Sequence, residues 1–175
     1  MVLTRLREAD VTLNLEKCTW FFDKVEYLGH FVRPGQLHVH NKNVDALKHA
    51  LFPTTKTQPT SFLGMCTVYR LFVKDFAKRA KPLNSMTRSE VPPDSPKPTD
   101  AALTAIDDLR QALLPPPILA LPKTKGKMIV DVDACADQLG CTLLHEQPDG
   151  TRLPVGYWSR GLSRAEKNNS TTERE

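Results

Sequence analysis

Apolar and polar positions along this chain switch between a period of two and a period of three to four, and the switches divide it into sheet-forming and helix-forming stretches. Residues 2–10 carry Leu3 and Leu6 on one side and Arg5, Arg7 and Glu8 on the other, which predicts the end of a helix. Val11 to Leu15 alternates, and Cys18-Thr-Trp-Phe-Phe22 continues extended, so strands are expected there with Trp20 in a strand core. Val25 to Val32 predicts a further strand segment, closed by a turn at Pro34-Gly35, with Leu37 to His40 pairing back. These short strands make a small antiparallel ribbon.

The period then lengthens. Val44, Leu47 and Leu51 predict a short helix stopped by Pro53. Pro59-Thr60 opens the strongest helix, in which Phe62, Met65, Cys66, Tyr69, Phe72, Val73 and Phe76 form one continuous apolar stripe. Arg70, Lys74, Lys78 and Lys81 fall at similar steps on another face, interrupted by Asp75. Ser89 to Thr99 is proline-rich and polar, hence a linker. Asp100 is expected to cap a helix with Leu103, Ile106, Leu109 and Leu113 inward, ended by Pro115-Pro116-Pro117. From Lys127 the period returns to two, with strands at Met128–Val132, Leu139–Leu144 and Val155–Ser159, and Trp158 in the strand core. Pro148-Asp149-Gly150 supplies a hairpin turn, and Ser170-x-x-Glu173 is a capping box opening a final helix.

Composition narrows the class. Forty per cent apolar and 25% charged residues is globular, and a net charge of +4 favours an anionic partner mildly. Cys18, Cys66, Cys135 and Cys141 form no C-x-x-C pair and accompany no histidines at zinc spacing. Cys135 and Cys141 lie in apolar strand-like runs, so buried free thiols in a reducing compartment are expected. No apolar run reaches the ~20 residues of a membrane span. Met1-Val-Leu-Thr-Arg5 has no signal-peptide core, so an intracellular site, cytoplasmic or nuclear and not secreted, is expected.

The candidate chemistry sits at the end of the chain. A strand-end Asp133 facing a helix carboxylate at Glu175 is half of a divalent-metal nuclease site, which needs several carboxylates around two ions. The rest would lie beyond Glu175, so a piece of a larger enzyme is expected. Each carboxylate also has an ordinary use: Asp133 as a solvated strand-end residue, Glu175 as an acid favoured by a helix N-terminus. Asp131 shares the face of Asp133 and could substitute for it, and Glu173 is the capping-box residue. The basic stripe is either a phosphate track or a solvated helix face.

Val25-Glu-Tyr-Leu-Gly-His30, Ser61-Phe-Leu-Gly64 with Tyr69-Arg-Leu-Phe-Val73, Asp133-Ala-Cys135 and Asn169-Ser-Thr-Thr-Glu-Arg-Glu175 together resemble one family. It is the Pol polyprotein of gypsy-type LTR retrotransposons, across the junction of reverse transcriptase and ribonuclease H. The resemblance implies an α+β chain: a small antiparallel palm and primer-grip sheet with thumb helices, then a truncated ribonuclease H-like β-β-β-α unit. Residues 1–40 would be palm strands and primer-grip hairpin, 41–88 thumb-like helices, 89–126 linker and connecting helix, and 127–175 the start of the ribonuclease H-like domain. Tyr27, Leu28, Gly29 and His30 would hold nucleic acid, with Arg70, Lys74 and Lys78 on the thumb; His30 read by itself is an ordinary satisfied surface histidine. Asp133 and Glu175 would be catalytic ligands of Mg²⁺, incomplete here and binding it weakly. The family's polymerase Asp pair is absent. Cys135 replaces a serine and Gln138 the first of two glycines, with Gly140 kept.

The resemblance thus implies partners in the rest of the Pol polyprotein and in a template–primer duplex or RNA–DNA hybrid. No independent polymerase or ribonuclease H activity is expected, and the C-terminal part is expected to be unstable by itself. The alternatives are a non-enzymatic nucleic-acid-binding remnant or domesticated module, and a C-terminal part that is degenerate and connection-like, serving structure.

Overall fold

The computed structural model describes residues 2–49, 57–87, 99–114, 117–123 and 125–168. An exposed helix α1 (Val2–Glu8) leads in. Three short strands follow: β1 (Val25–Tyr27), β2 (His30–Arg33) and β3 (Gln36–Val39). Helices α2 (Asn41–His49), α3 (Thr57–Val68), α4 (Phe76–Met86) and α5 (Asp100–Leu113) come next. Strand β4 (Ile118–Ala120) returns beside β3 and completes an antiparallel sheet in the order β1-β2-β3-β4. A second antiparallel sheet is the meander β5 (Lys127–Ala134), β6 (Gln138–Glu146) and β7 (Arg152–Gly161). The α+β architecture is as the sequence predicts, and the hairpin pairing of Leu37 with Val32 closes the ribbon at Pro34-Gly35.

One core joins the first sheet to the helices. Val39 and Leu119 meet Leu47, Phe62, Cys66, Phe72, Leu83, Ile106, Leu109 and Leu113, all at most 5% exposed. Tyr157 of β7 packs against this cluster, so the second sheet is seated on the helical layer. Burial pushes the Cys66 thiol up to about 12, which makes it an inert core residue.

Several expectations need correction. Val11 to Leu15 is not a strand: Asn14 accepts a hydrogen bond from the Glu16 amide at 3.1 Å and bends the chain into a one-turn 3₁₀ helix at Leu15–Lys17. A side-chain oxygen that captures a nearby amide competes with a sheet ladder, and no described strand lies beside this run to offer one. Residues 18–22 are unpaired too, and Trp20 is exposed rather than core. The helix expected to run unbroken from Pro59 through Phe76 is broken. A 3₁₀ turn at Arg70–Phe72 and a left-handed Asp75 (φ 57°) separate α3 from α4. The break still buries Tyr69, Phe72 and Val73, so burial of the stripe outweighs helix continuity. Thr99, not Asp100, is the N-cap of α5, its hydroxyl accepting from the Ala102 amide at 3.3 Å. Cys135 is exposed in the β5–β6 turn, and Cys141 is half-buried on β6 opposite Val132 and Trp158. Trp158 is 44% exposed rather than core. Strand β4 falls inside the stretch expected to be linker.

The helix expected from Ser170, with Glu173 and Glu175, lies outside the described residues. A capping box with the same spacing does close seven residues earlier. The Ser163 amide donates to Glu166 Oε2 at 2.8 Å and the Glu166 amide to Ser163 Oγ at 3.3 Å, opening a 3₁₀ turn at Glu166–Asn168.

Candidate nucleic-acid interface

The hairpin of β1 and β2 closes on the pair Tyr27–His30, leaving Leu28-Gly29 as its two-residue loop. Both loop residues have positive φ, 49° and 76°, the signature of a type I′ turn whose twist matches the strands. Tyr27 and Leu28 project at the tip, 63% and 80% exposed.

His30 does not join them. Its ring stacks on Phe72 at 5.5 Å and meets Tyr69 edge-on at 5.9 Å. Its Nδ1 is buried with no hydrogen-bond partner among the described residues, and desolvation lowers its pKa. The ordinary surface histidine expected from the sequence is instead a neutral aromatic-like plate between the hairpin and the turn that follows α3. On the other side of the ribbon, Lys24 Nζ lies 3.3 Å from the centre of the Phe31 ring, which stacks on His40.

The four basic residues expected on one helix face are dispersed by the helix break. Arg70 is in the 3₁₀ turn, Lys74 follows it, and Lys78 and Lys81 are on α4. Arg70, Lys74 and Lys78 are exposed. Lys81 is engaged with Asp137 at 2.9 Å, which holds the Asp137 carboxyl below the usual carboxylate range and ties α4 to the β5–β6 turn. Arg70 lines a cleft of about 420 Å³ with Phe76, Tyr157, Trp158, Ser159 and Arg160.

Asp131 and Asp133 sit on one face of β5, paired with Thr142 and Gly140. The next residues across are Tyr157 and Ser159. This is the face that meets α4: the Ala77 amide donates to Ser159 Oγ at 2.9 Å. A Cβ on Gly140 would stand 3.2 Å from Asp75 Oδ1, so the bare glycine admits the α4 N-terminus. Asp75, Lys74, Asp131 and Asp133 thereby line one concavity of about 300 Å³. Sequence reading noted Asp75 as a break in a basic stripe and missed its place beside the two strand aspartates; its left-handed backbone carries no local signal. Among the described residues no three His, Cys, Asp or Glu side chains group so as to hold a metal ion. Glu175, the expected second ligand, is outside the described residues. No helix among them is long and apolar enough to cross a membrane.

Comparison with known proteins agrees with this layout. Residues 99–175 match the family described as the RNase H-like domain found in reverse transcriptase. The retrovirus-related Pol polyprotein from transposon opus of Drosophila melanogaster is 33% identical over 100% of this chain and 18% of its own length. The transposon Tf2-3 polyprotein of Schizosaccharomyces pombe is 26% identical over 99% of this chain and 13% of its own. Among solved structures, the foamy viral protease-reverse transcriptase in complex with dsDNA superposes with a TM-score of 0.75 at 21% identity, over 98% of this chain and 35% of the other. The same enzyme in complex with an RNA/DNA hybrid gives 0.73 at 20% identity, over 91% and 21%.

The fold is thus that of a reverse transcriptase running into an RNase H-like sheet. In sequence the chain is similar to retrotransposon Pol polyproteins, and it spans less than a fifth of the length of the relatives described.

Proposed function

We propose that this region holds a template–primer duplex or RNA–DNA hybrid for the longer Pol enzyme and performs no chemistry by itself. The observation that carries the reading is the His30–Phe72 stack, which joins a hairpin tip with Tyr27 and Leu28 exposed and Gly29 half-buried to the turn bearing Arg70. The exposed tip and the exposed Arg70, Lys74 and Lys78 offer apolar surface and cations, the combination that a nucleic-acid strand takes. The foamy viral enzymes that share the fold are complexes with dsDNA and with RNA/DNA hybrid, which agrees with this reading.

The test is fluorescence anisotropy of a labelled hybrid at several salt concentrations. Replacing Arg70, Lys74 and Lys78 by Gln should flatten the dependence of log K on log salt by up to ~0.9 for each phosphate no longer neutralised. An unchanged slope would sink the proposal.

In the longer enzyme Asp133 and Glu175 would hold Mg²⁺, which supplies charge stabilisation at the scissile phosphate. Here Asp133 orients its carboxylate on a strand end and takes no further part. Mg²⁺-dependent cleavage of a hybrid by this chain, lost in Asp133→Asn, would overturn that. A second reading, a connection-like C-terminal part, is favoured by Gln138, which is 7% exposed where the family pattern has glycine. Asp133-dependent cleavage on adding the downstream Pol region would exclude it.

A further inference from the structure

Past β4 the chain carries a second basic feature, unconnected with the thumb stripe. Lys123, Lys125 and Lys127 recur along the run that leads into β5 and, with Gly126, His145 and Gln147, line a concavity of about 480 Å³. All three lysines are exposed. Among the described residues none is ion-paired, and the adjacent Glu146 is engaged by Arg152 at 3.5 Å.

The run is held by a polar relay. His145, 1% exposed, donates from Nε2 to the Lys125 carbonyl at 3.3 Å and accepts at Nδ1 from Gln147 Nε2 at 2.7 Å. Gln147 Oε1 in turn accepts from Lys123 Nζ at 3.1 Å. Gly126, at φ 127°, passes so near the imidazole that any Cβ there would collide with it. These contacts tie the Lys125 carbonyl and the Lys123 ammonium to His145 and Gln147, with Lys125 and Lys127 exposed beside them. Glu146 also lines the concavity but is engaged by Arg152, so the three lysines leave it net positive, a field that attracts an anion.

We propose that Lys123, Lys125 and Lys127 form a phosphate-binding site for a nucleic-acid strand, additional to the hairpin tip and the Arg70 turn. The inference rests on the nucleic-acid reading above and extends it to the other end of the second sheet. Lys127 opens β5 and Asp133 is near its close, about 20 Å apart at ~3.4 Å per residue.

The experiment measures hybrid affinity against salt for the full chain and for the Lys123→Gln/Lys125→Gln/Lys127→Gln variant. The expected result is a slope shallower by about 2 to 3, with wild-type behaviour retained when the same lysines become Arg. A matching thermal melt for the two variants separates this from misfolding. A wild-type slope in the Gln variant overturns the site while leaving the Arg70 reading intact. A wild-type chain that binds no hybrid overturns both.

Discussion

Leu28 occupies a backbone conformation that branched side chains rarely adopt, at the most exposed point of its hairpin. Asn favours that conformation, so Leu28→Asn should raise stability by about 0.5–1 kcal/mol in urea unfolding. If the tip touches nucleic acid, the same variant should bind a hybrid severalfold more weakly, and opposite movement of the two readouts is the expected outcome. Glu166 gives a pH-dependent case. The Arg160 guanidinium, at 2.7 Å, and the Ser163 amide hold its carboxyl down to about 2, well below the ordinary carboxylate value. A depressed carboxylate contributes stability that is present above its unfolded pKa and lost as pH falls towards the folded one. The stability difference between wild type and Glu166→Gln should therefore shrink between about pH 4.5 and pH 2, as thermal melts across that range would show. Ser163-x-x-Glu166 carries the same signal as Ser170-x-x-Glu173, and it is hidden in the sequence among the charges of its segment. His30 was illegible for another reason. Its surroundings, Tyr69 and Phe72, are distant in sequence, and nothing local announces them.

At the scale of elements, legibility followed the locality of the interactions. The β5–β6–β7 meander was visible because its alternation and its Asp149-Gly150 turn are local. Strand β4 was not, because three residues give no period and its pairing with β3 is remote. The α3–α4 break was hidden because the apolar stripe is continuous in sequence on both sides of it. What fixes α4 after the break is its packing against α5 and β7, with Arg79 paired to Asp108 at 2.9 Å and the Ala77 amide bound by Ser159. Leu109 of α5, fully buried in that layer, should cost about 2–5 kcal/mol on replacement by Ala, measured as a shift in the urea midpoint at unchanged slope.

At the scale of the molecule, the second sheet depends on the first half of the chain for one of its faces. Tyr157 packs half-buried against the common core, while Met128, Val130, Val132 and Trp158 lie 40–68% exposed on the other side. A fragment carrying residues 117–175 would expose both faces, so it should melt without cooperativity and aggregate, as calorimetry and light scattering would record. A sharp transition at high temperature would contradict this. The nucleic-acid surfaces proposed above follow the same division: the tip and Arg70 lie with the first sheet, and the lysine run lies where the chain enters the second.

The return of β4 to β3 has a consequence for biosynthesis. Leu119 pairs with Leu37, and at ~5–20 residues per second the ribosome takes about 4–16 s to supply it after its partner has been made. Through that interval β3 stands as an open edge on a nascent chain, and the helices must form beneath an unfinished sheet. Because β4 arrives by docking rather than by a hairpin, covalent continuity through residues 88–98 is not what registers it. Halves severed within that stretch and co-expressed should copurify as one reassembled body.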